Sequence, residues 1–152
     1  NETYDTVKTH FSAKTVDTVM GARVSVPYCV AAAVLDRQLG QAQFRLDRVR
    51  RADVQAMLAR TDVVSVPELT ALYPDKFPAR VTVILRDGRR LTATRHFPKG
   101  DPQEPLTPAE IEAKFLANTE AKLDAAAAHS LVRLIRSLPA QGDVAAIMSL
   151  LT

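Results

Sequence analysis

The residues best suited to chemistry lie close together in the stretch SVPYC, residues 25–29. Ser25 can cap a helix with Pro27 in its first turn, so Tyr28 would lie near free backbone N–H groups and the positive end of the helix dipole. Together with Arg23, this helix start could bind a carboxylate. Alternatively, Tyr28 packs against the sheet and its hydroxyl meets water or a carbonyl. The spacing alone favours the second interpretation but leaves both open.

Other nucleophiles and metal ligands are sparse. Cys29 is the only cysteine, so no internal disulfide can form, and a small buried residue is a better interpretation than a reactive thiolate. The histidines lie far apart and share no metal-ligand spacing with Cys29. The glycines form no phosphate-binding motif. We therefore predict that the chain holds no metal; the histidines concerned are His10, His96 and His129.

Composition and charge exclude several classes of protein. Hydrophobic residues make up 47% and charged residues 24% of the 152 residues, which is typical of a soluble globular domain. No apolar run approaches the roughly 20 residues that span a bilayer. The net charge is only +3, and the basic clusters at 45–51 and 86–90 contain no interleaved aromatic residues. We expect a cytoplasmic protein that binds neither membranes nor nucleic acid.

The first part of the chain predicts two strands separated by helices. Residues 4–10 alternate in the manner of a strand, and residues 62–66 form a second short run. Gly40 would end the helix that begins after Ser25 or the turn after that helix, and helical spacing continues over 46–60. Within this last segment we expect two N-caps, Asp47 and Asp53.

The clearest local signal is a hairpin over residues 79–97. Two alternating β-branched runs flank Asp87-Gly88, a pair that favours a two-residue type I′ turn. A hairpin needs further strands or a helix to be stable in water. We expect the strands at 4–10 and 62–66 to supply that support.

Helices follow the hairpin. Thr107, Pro108 and Glu110 predict a helix start with a capping box, and Asp124 predicts the start of another helix, over 124–138. A last short helix is expected at 143–151. Because strands and helices are segregated along the chain, we predict an α+β fold, a two-layer sandwich with helices packed on one side of an antiparallel sheet. We expect a single domain over residues 1–152.

Three segments resemble the MmgE/PrpD family. GARVSVPYCVAAAVLDRQLGQAQF (21–44) is similar to the family pattern D-A-x-F-S-L-P-Y-A-V-A-A-A-L-L-D-G-x-x-G-x-x-x-F. LRDGRRL (85–91) resembles the turn of its strand pair, and KGDPQEPLTPAEIEAKF (99–115) resembles G-x-P-x-x-P-L-T-x-x-E-L-x-x-K-F. The segments occur in the family's order, and the resemblance covers nearly the whole chain.

The resemblance implies both an architecture and an activity. Family members join a large helical N-terminal domain to a smaller α+β C-terminal domain, the lid, and this chain resembles a truncated lid. The family includes 2-methylcitrate dehydratase, which belongs to propionate metabolism, cis-aconitate decarboxylase and iminodisuccinate epimerase. These enzymes act on small di- or tricarboxylates without a metal or organic cofactor. We therefore expect part of a 2-methylcitrate dehydratase-like hydro-lyase, inactive alone because most acid–base residues lie in the absent part.

The resemblance also implies a site. The SVPY segment would line the cleft between the two domains, which makes Tyr28, Ser25 and Arg23 the expected substrate-binding residues, with no catalytic residue assigned in this chain. Gly21 and Arg37 replace the family's usual Asp and Gly, and we expect them to alter substrate preference and helix C-cap geometry, respectively. Expected partners are the helical domain, docked on an apolar face, and a second copy. The alternative is a non-catalytic carboxylate-binding or dimerisation module.

Overall fold

The computed structural model of the chain describes residues 1–140 and 143–150. The chain divides into two compact units, residues 1–98 and residues 99–152, and each is described by itself. All strands of the described residues lie in the first unit, together with several helices, whereas the described part of the second unit is helical. The fold is α+β, as the segregation of elements along the sequence predicts.

A four-stranded sheet lies in the first unit. Its strands are β1 (Glu2–Thr3), β2 (Val64–Ser65), β3 (Ala79–Ile84) and β4 (Arg90–Arg95), in the order β2-β1-β3-β4. Strand β1 pairs parallel to β2 and antiparallel to β3, and β3 pairs antiparallel to β4. The sheet is therefore mostly antiparallel, as predicted, with one parallel pair.

The predicted strand at 4–10 is wrong, because these residues form helix α1 (Asp5–Phe11). Alternation specifies a strand only where one face becomes buried, and this segment buries no residue. The strand that supports the hairpin is β1, which lies just before the helix. The predicted strand at 62–66 is confirmed as β2, although it reaches the hairpin only through β1.

The hairpin is confirmed, but its turn differs from the type I′ prediction. The Gly88 N–H donates to the Leu85 carbonyl at 3.0 Å, and the Leu85 N–H donates to the Arg89 carbonyl at 2.8 Å, which leaves a three-residue loop. Gly88 has φ +85°, whereas Asp87 is not among the positive-φ residues that the structure describes. The Asp87 carboxylate instead accepts from the Arg89 N–H at 3.0 Å, which favours a type I turn followed by a left-handed glycine.

Helices form the core of the first unit. They are α2 (Val19–Arg23), α3 (Val26–Asp36), α4 (Leu46–Val49), α5 (Ala52–Ala59) and α6 (Pro67–Thr70), with a 3₁₀ turn over Gln41–Phe44. Small side chains on α3 permit close packing against its neighbours. The buried cluster contains Val16, Ala22, Tyr28, Ala31, Ala32, Val49, Val54 and Leu58.

The structure defines the end of α3 and corrects two predicted N-caps. Helix α3 ends at Asp36, and its C-cap residue Arg37 adopts the left-handed conformation (φ 57°), whereas Gly40 lies further along, at the N-cap of the following 3₁₀ turn. Asp47 and Asp53 are not N-caps, since each lies inside a first helical turn. A carboxylate there still interacts favourably with the helix dipole.

The second unit contains α7 (Pro108–Thr119), α8 (Ala125–Arg136), a 3₁₀ turn over Leu138–Ala140 and α9 (Ala145–Met148). The capping box is confirmed, because the Thr107 hydroxyl accepts from the Glu110 N–H at 3.2 Å and the Glu110 carboxylate accepts from the Thr107 N–H at 2.8 Å. Asp124 caps α8 as predicted. Residue 151 of the predicted last helix lies outside the described residues.

Candidate functional site

Ser25 joins the start of α3 to the chain before it. Its hydroxyl accepts from the Tyr28 N–H at 3.1 Å, which confirms the predicted N-cap, and donates to the Ala13 carbonyl at 2.6 Å. Only 1% of the residue is exposed. A buried hydroxyl that already donates and accepts within the chain is held in one orientation.

Tyr28 lies wholly inside the helical core. Its hydroxyl donates to the backbone carbonyl of Gln43, and its ring lies 5.9 Å from that of Phe44, centroid to centroid. Burial raises the pKa of the phenol. The sequence left open whether Tyr28 faces a ligand or packs inside the fold with its hydroxyl on water or a carbonyl. The geometry shows the second arrangement, except that the ring packs among helices and not against the sheet.

Gln43, in the 3₁₀ turn that follows α3, also takes part in a charged network. The Gln43 side-chain amide donates to Asp36 at 3.1 Å, and Arg48 donates to the same carboxylate through Nε at 3.0 Å and through Nη2. Arg48 also reaches Asp53 through Nη1 at 3.3 Å. The bond from Arg48 lowers the pKa of Asp36, and the bond to Asp36 raises the pKa of Arg48. Because the Arg48 side chain is only 9% exposed, this pairing helps to fix α3 against α4.

Arg23 has the opposite environment. Its side chain is exposed, donates through Nη2 to the Gln41 side chain at 3.1 Å, and lies with its guanidinium carbon 6.0 Å from the centre of the Phe44 ring. The bond to Gln41 engages one of the five N–H donors of a guanidinium. The arrangement holds a cation at the surface, near the start of α3, where it can bind an anion.

The MmgE/PrpD C-terminal domain family matches residues 1–139 of this chain. The chain belongs to the MmgE/PrpD family. This match confirms the resemblance seen in the motifs, including the assignment to the C-terminal domain.

Curated relatives of this MmgE/PrpD domain include two cis-aconitate decarboxylases. The protein from Homo sapiens is 25% identical over 134 residues, which cover 86% of this chain and 27% of the relative. The protein from Mus musculus is 25% identical over 130 residues, which cover 86% of this chain and 26% of the relative. The chain thus spans about a quarter of the length of the curated relatives it matches.

The MmgE/PrpD segment brings the predicted site residues Arg23, Ser25 and Tyr28 to one end of α3, with different exposures. Arg23 is exposed, whereas Ser25 and Tyr28 are buried and hydrogen-bonded within the chain. In this conformation, these last two can affect a ligand only by holding the backbone and neighbouring side chains in place. A substrate-binding role for all three stays a prediction.

The sequence analysis did not predict the charged network between α3 and α4. Asp36 and Arg48 are twelve positions apart and meet only because the 3₁₀ turn brings the chain back toward α3. No local spacing rule links such a pair. The basic cluster at 45–51 is not a patch of unpaired positive charge, because all its arginines have partners. These partners are Asp47 for Arg45, Asp36 and Asp53 for Arg48, the Asp17 carbonyl for Arg50 and Asp53 for Arg51.

Reactive groups around this MmgE/PrpD segment are few. Cys29 is partly buried, and burial raises the pKa of its thiol, which disfavours the nucleophilic thiolate. Across residues 1–140 and 143–150, no group of three or more His, Cys, Asp or Glu side chains is arranged to hold a metal ion. Every helix in that same portion of the chain is too short or too polar to cross a bilayer.

Proposed function

We propose that this chain is the C-terminal domain of an enzyme that acts on small di- or tricarboxylates, a hydro-lyase of the 2-methylcitrate dehydratase type. The observation that carries the proposal is the family match over residues 1–139. The relatives named cis-aconitate decarboxylase support the substrate class, because the substrate in their name is a small carboxylate with several acid groups. The chain by itself is expected to be inactive.

Both candidate reactions need a cation near the substrate. A dehydratase removes a proton from the carbon next to a carboxylate, and the hydroxyl group on the neighbouring carbon leaves as water, so that a C=C bond forms. A decarboxylase breaks the C–C bond to a carboxylate, releases CO₂ and returns a proton to the remaining carbon. In either case negative charge develops beside carboxylates, and fixed cations stabilise it. We assign no acid or base to this chain.

Arg23 is the residue that fits the cationic role. A guanidinium can donate two parallel N–H bonds to one carboxylate, and Arg23 is exposed while Gln41 and Phe44 restrict its position. A restricted arginine loses less conformational entropy on binding than a free one.

Ser25 and Tyr28 support Arg23 in this proposal. Both lie within five residues of it, and their hydrogen bonds to the Ala13 and Gln43 carbonyls fix the start of α3. Their part in substrate binding is thus to position the segment that carries Arg23.

The test uses the natural full-length polypeptide that carries this chain. It is incubated with 2-methylcitrate, citrate and cis-aconitate, and alkene formation and CO₂ release are followed separately. We expect turnover of at least one acid, with 2-methylcitrate giving an alkene without CO₂. Arg23→Gln should raise KM about tenfold, the loss expected for one charge-assisted contact, and leave the unfolding midpoint unchanged. The matched control is Arg45→Gln, an exposed arginine paired with Asp47, which should keep the original KM.

Absence of turnover would favour the alternative, a carboxylate-binding or dimerisation module. One observation favours that alternative: Met20 and Val24, on either side of Arg23, are 67% and 45% exposed. An apolar surface of this kind suits a partner, either the helical domain of a longer enzyme or a second copy. Heat on titration with the three acids, or a concentration-dependent dimer in sedimentation, would separate the two versions of the module.

A further inference from the structure

Positive charge is concentrated on the hairpin formed by β3 and β4. Residues 79–99 contain six of the chain's 20 lysines and arginines and only one of its 17 acidic residues, Asp87. The net charge of the whole chain is +3, so the rest of the chain has slightly more acidic than basic residues. The hairpin is therefore the basic region of a nearly balanced chain, and this segregation of charge favours an acidic partner.

Several arginines of the hairpin are free to bind such a partner. Arg80 and Arg89 form ion pairs within the chain. Among the described residues, no carboxylate pairs with Arg86, Arg90 or Arg95, and all three are exposed. The last of them donates only to a backbone carbonyl. A carboxylate from a partner could therefore bind these guanidinium groups without first breaking an ion pair.

Strand β4 is an edge of the sheet, whose order is β2-β1-β3-β4. Its only strand neighbour among the described residues is β3, and the opposite edge, β2, has only two residues. No residue of β4 is buried, and all but Thr94 are exposed. An exposed edge of six residues offers a row of N–H and C=O groups to another strand.

The phase of the hairpin shows which groups of β4 face outward. The Leu85 N–H donates to the Arg89 carbonyl, and bonded pairs alternate with non-bonded pairs along an antiparallel ladder. Leu91 and Ala93 therefore exchange N–H···O bonds with β3. The residues whose N–H and C=O groups point away from the sheet are Arg90, Thr92 and Thr94.

The side chains of β4 specify the chemistry of an added strand. Leu91 and Ala93 lie on one face, opposite Val83 and Val81 of β3, and Leu91 is 55% exposed. Arg90 lies on the other face with two threonines. A strand that pairs antiparallel to β4 would place apolar side chains beside Leu91 and Ala93 and acidic side chains beside Arg90. The edge therefore fits a segment in which acidic and apolar residues alternate.

We propose that the edge of β4 binds an extended acidic segment of another protein, which adds a strand antiparallel to β4. The peptide groups of Arg90, Thr92 and Thr94 supply the main-chain hydrogen bonds, and the alternating side chains supply specificity. This inference concerns strand pairing alone and does not rest on the proposed catalytic activity.

A second copy of this chain is the competing strand. Two β4 edges that pair antiparallel about Thr92 would place Arg89 of one copy opposite Arg95 of the other. Like charges directly opposite each other destabilise a strand pair, and charged side chains at an edge oppose pairing between copies. The arginines therefore disfavour a second copy and favour an acidic strand.

NMR with a defined peptide tests the proposal. The probe is a capped peptide of about seven residues in which Val and Glu alternate, long enough to cover β4. Hα–Hα contacts should join the peptide to Leu91 and Ala93 of the 152-residue chain, because strands approach most closely at non-bonded pairs. At about ten times the peptide Kd, the Arg90, Thr92 and Thr94 amides should exchange about tenfold more slowly. Unchanged exchange at these amides would overturn the proposal.

N-methylated peptides separate strand pairing from charge attraction. A peptide methylated on its Glu nitrogens loses the N–H groups that would face β4, so it should bind about tenfold more weakly. The matched control is methylated on its Val nitrogens, which face away from β4, and should bind like the parent peptide. Equal binding of all three peptides would contradict the proposal, because the arginines would then attract any anionic chain, nucleic acid included.

Substitutions in the chain test the same geometry. Thr92→Pro removes an N–H that β3 does not use, which an edge strand tolerates, so it should abolish peptide binding and change the unfolding midpoint little. Arg90→Gln should weaken binding about threefold, the effect of one exposed ion pair, whereas Arg45→Gln, outside the hairpin, should not. Undiminished binding by Thr92→Pro would overturn the proposal, as would a dimer that protects the β4 amides without peptide.

Discussion

The start of α3 and the groove beside β3 handle their polar groups in opposite ways. At the helix start, the hydroxyls of Ser25 and Tyr28 are buried and hydrogen-bonded to carbonyls of the chain itself. Beside β3, a groove of about 540 Å³ is lined by Thr82 and Ile84, which pair with β4 but have no second strand partner among the described residues. The two hydroxyls of the first region are therefore satisfied, whereas the second region is open.

The difference shows that a distinctive motif need not mark the contact surface. The SVPY segment is distinctive because a proline, a capping serine and a buried tyrosine together specify how α3 begins. The exposed residue of the candidate site is Arg23, which comes just before the motif and is not part of it. A binding role is better sought where the fold leaves donors and acceptors unused.

The largest expected effect comes from breaking the network that joins the end of α3 to α4. Arg48→Ala removes both hydrogen bonds to Asp36 and leaves a carboxylate that is mostly buried without its cation, which should lower the free energy of unfolding by about 3 kcal/mol. Denaturant unfolding of the 152-residue chain measures the change. Arg45→Ala is the matched control, because Arg45 and Asp47 are both largely exposed and an exposed pair contributes little. Equal losses in the two variants would show that the network does not hold α3 against α4.

The pH dependence of stability tests the same Arg48–Asp36 pair, with a smaller expected effect on unfolding. Arg48 lowers the pKa of Asp36 in the folded state, so the carboxylate adds stability above its unfolded pKa, and this stability is lost as the pH falls through the folded value. The unfolding midpoint should therefore fall as the pH drops below about 4. Asp36→Asn should be less stable at neutral pH and show a shallower decline in acid. Parallel curves for the two proteins would contradict the assignment to Asp36.

Local signals in the sequence predicted the elements whose causes are local. The capping box of Thr107 and Glu110 and the cap at Asp124 depend on residues three positions apart, and both are confirmed. The turn at Asp87-Gly88 was placed correctly but assigned the wrong type, because the Asp87 side chain bonds to a backbone N–H in a way that the residue pair alone does not specify.

The parts that the sequence did not predict depend on distant contacts. Strand β1 has only two residues, and it exists because β2 and β3 pair with it from far along the chain. The burial of Tyr28 requires the Gln43 carbonyl, which the 3₁₀ turn brings into place. The sequence therefore placed Arg23, Ser25 and Tyr28 together at one helix end, but it could not tell which of these side chains faces outward.

The smallest effect concerns the far end of α3. Arg37 adopts a left-handed conformation (φ 57°) that disfavours residues with a side chain, so Arg37→Gly should raise the free energy of unfolding by about 0.5–1 kcal/mol. Arg37→Ala keeps the Cβ atom and should give no such gain, which makes it the control. If glycine and alanine shift the midpoint equally, the effect belongs to the lost charge and not to the backbone.

Tyr28→Phe in the natural full-length polypeptide tests the central claim most directly, with unfolding and turnover measured on the same samples. The substitution deletes only the hydroxyl that donates to the Gln43 carbonyl. We predict a loss of about 1–2 kcal/mol in unfolding free energy, because a buried carbonyl loses its partner. For the folded enzyme, kcat should be unchanged and KM should rise less than it does in Arg23→Gln, because the hydroxyl only positions the segment that carries Arg23. A fall in kcat with full stability retained would contradict the account, because it would place the hydroxyl against the substrate and not inside the fold.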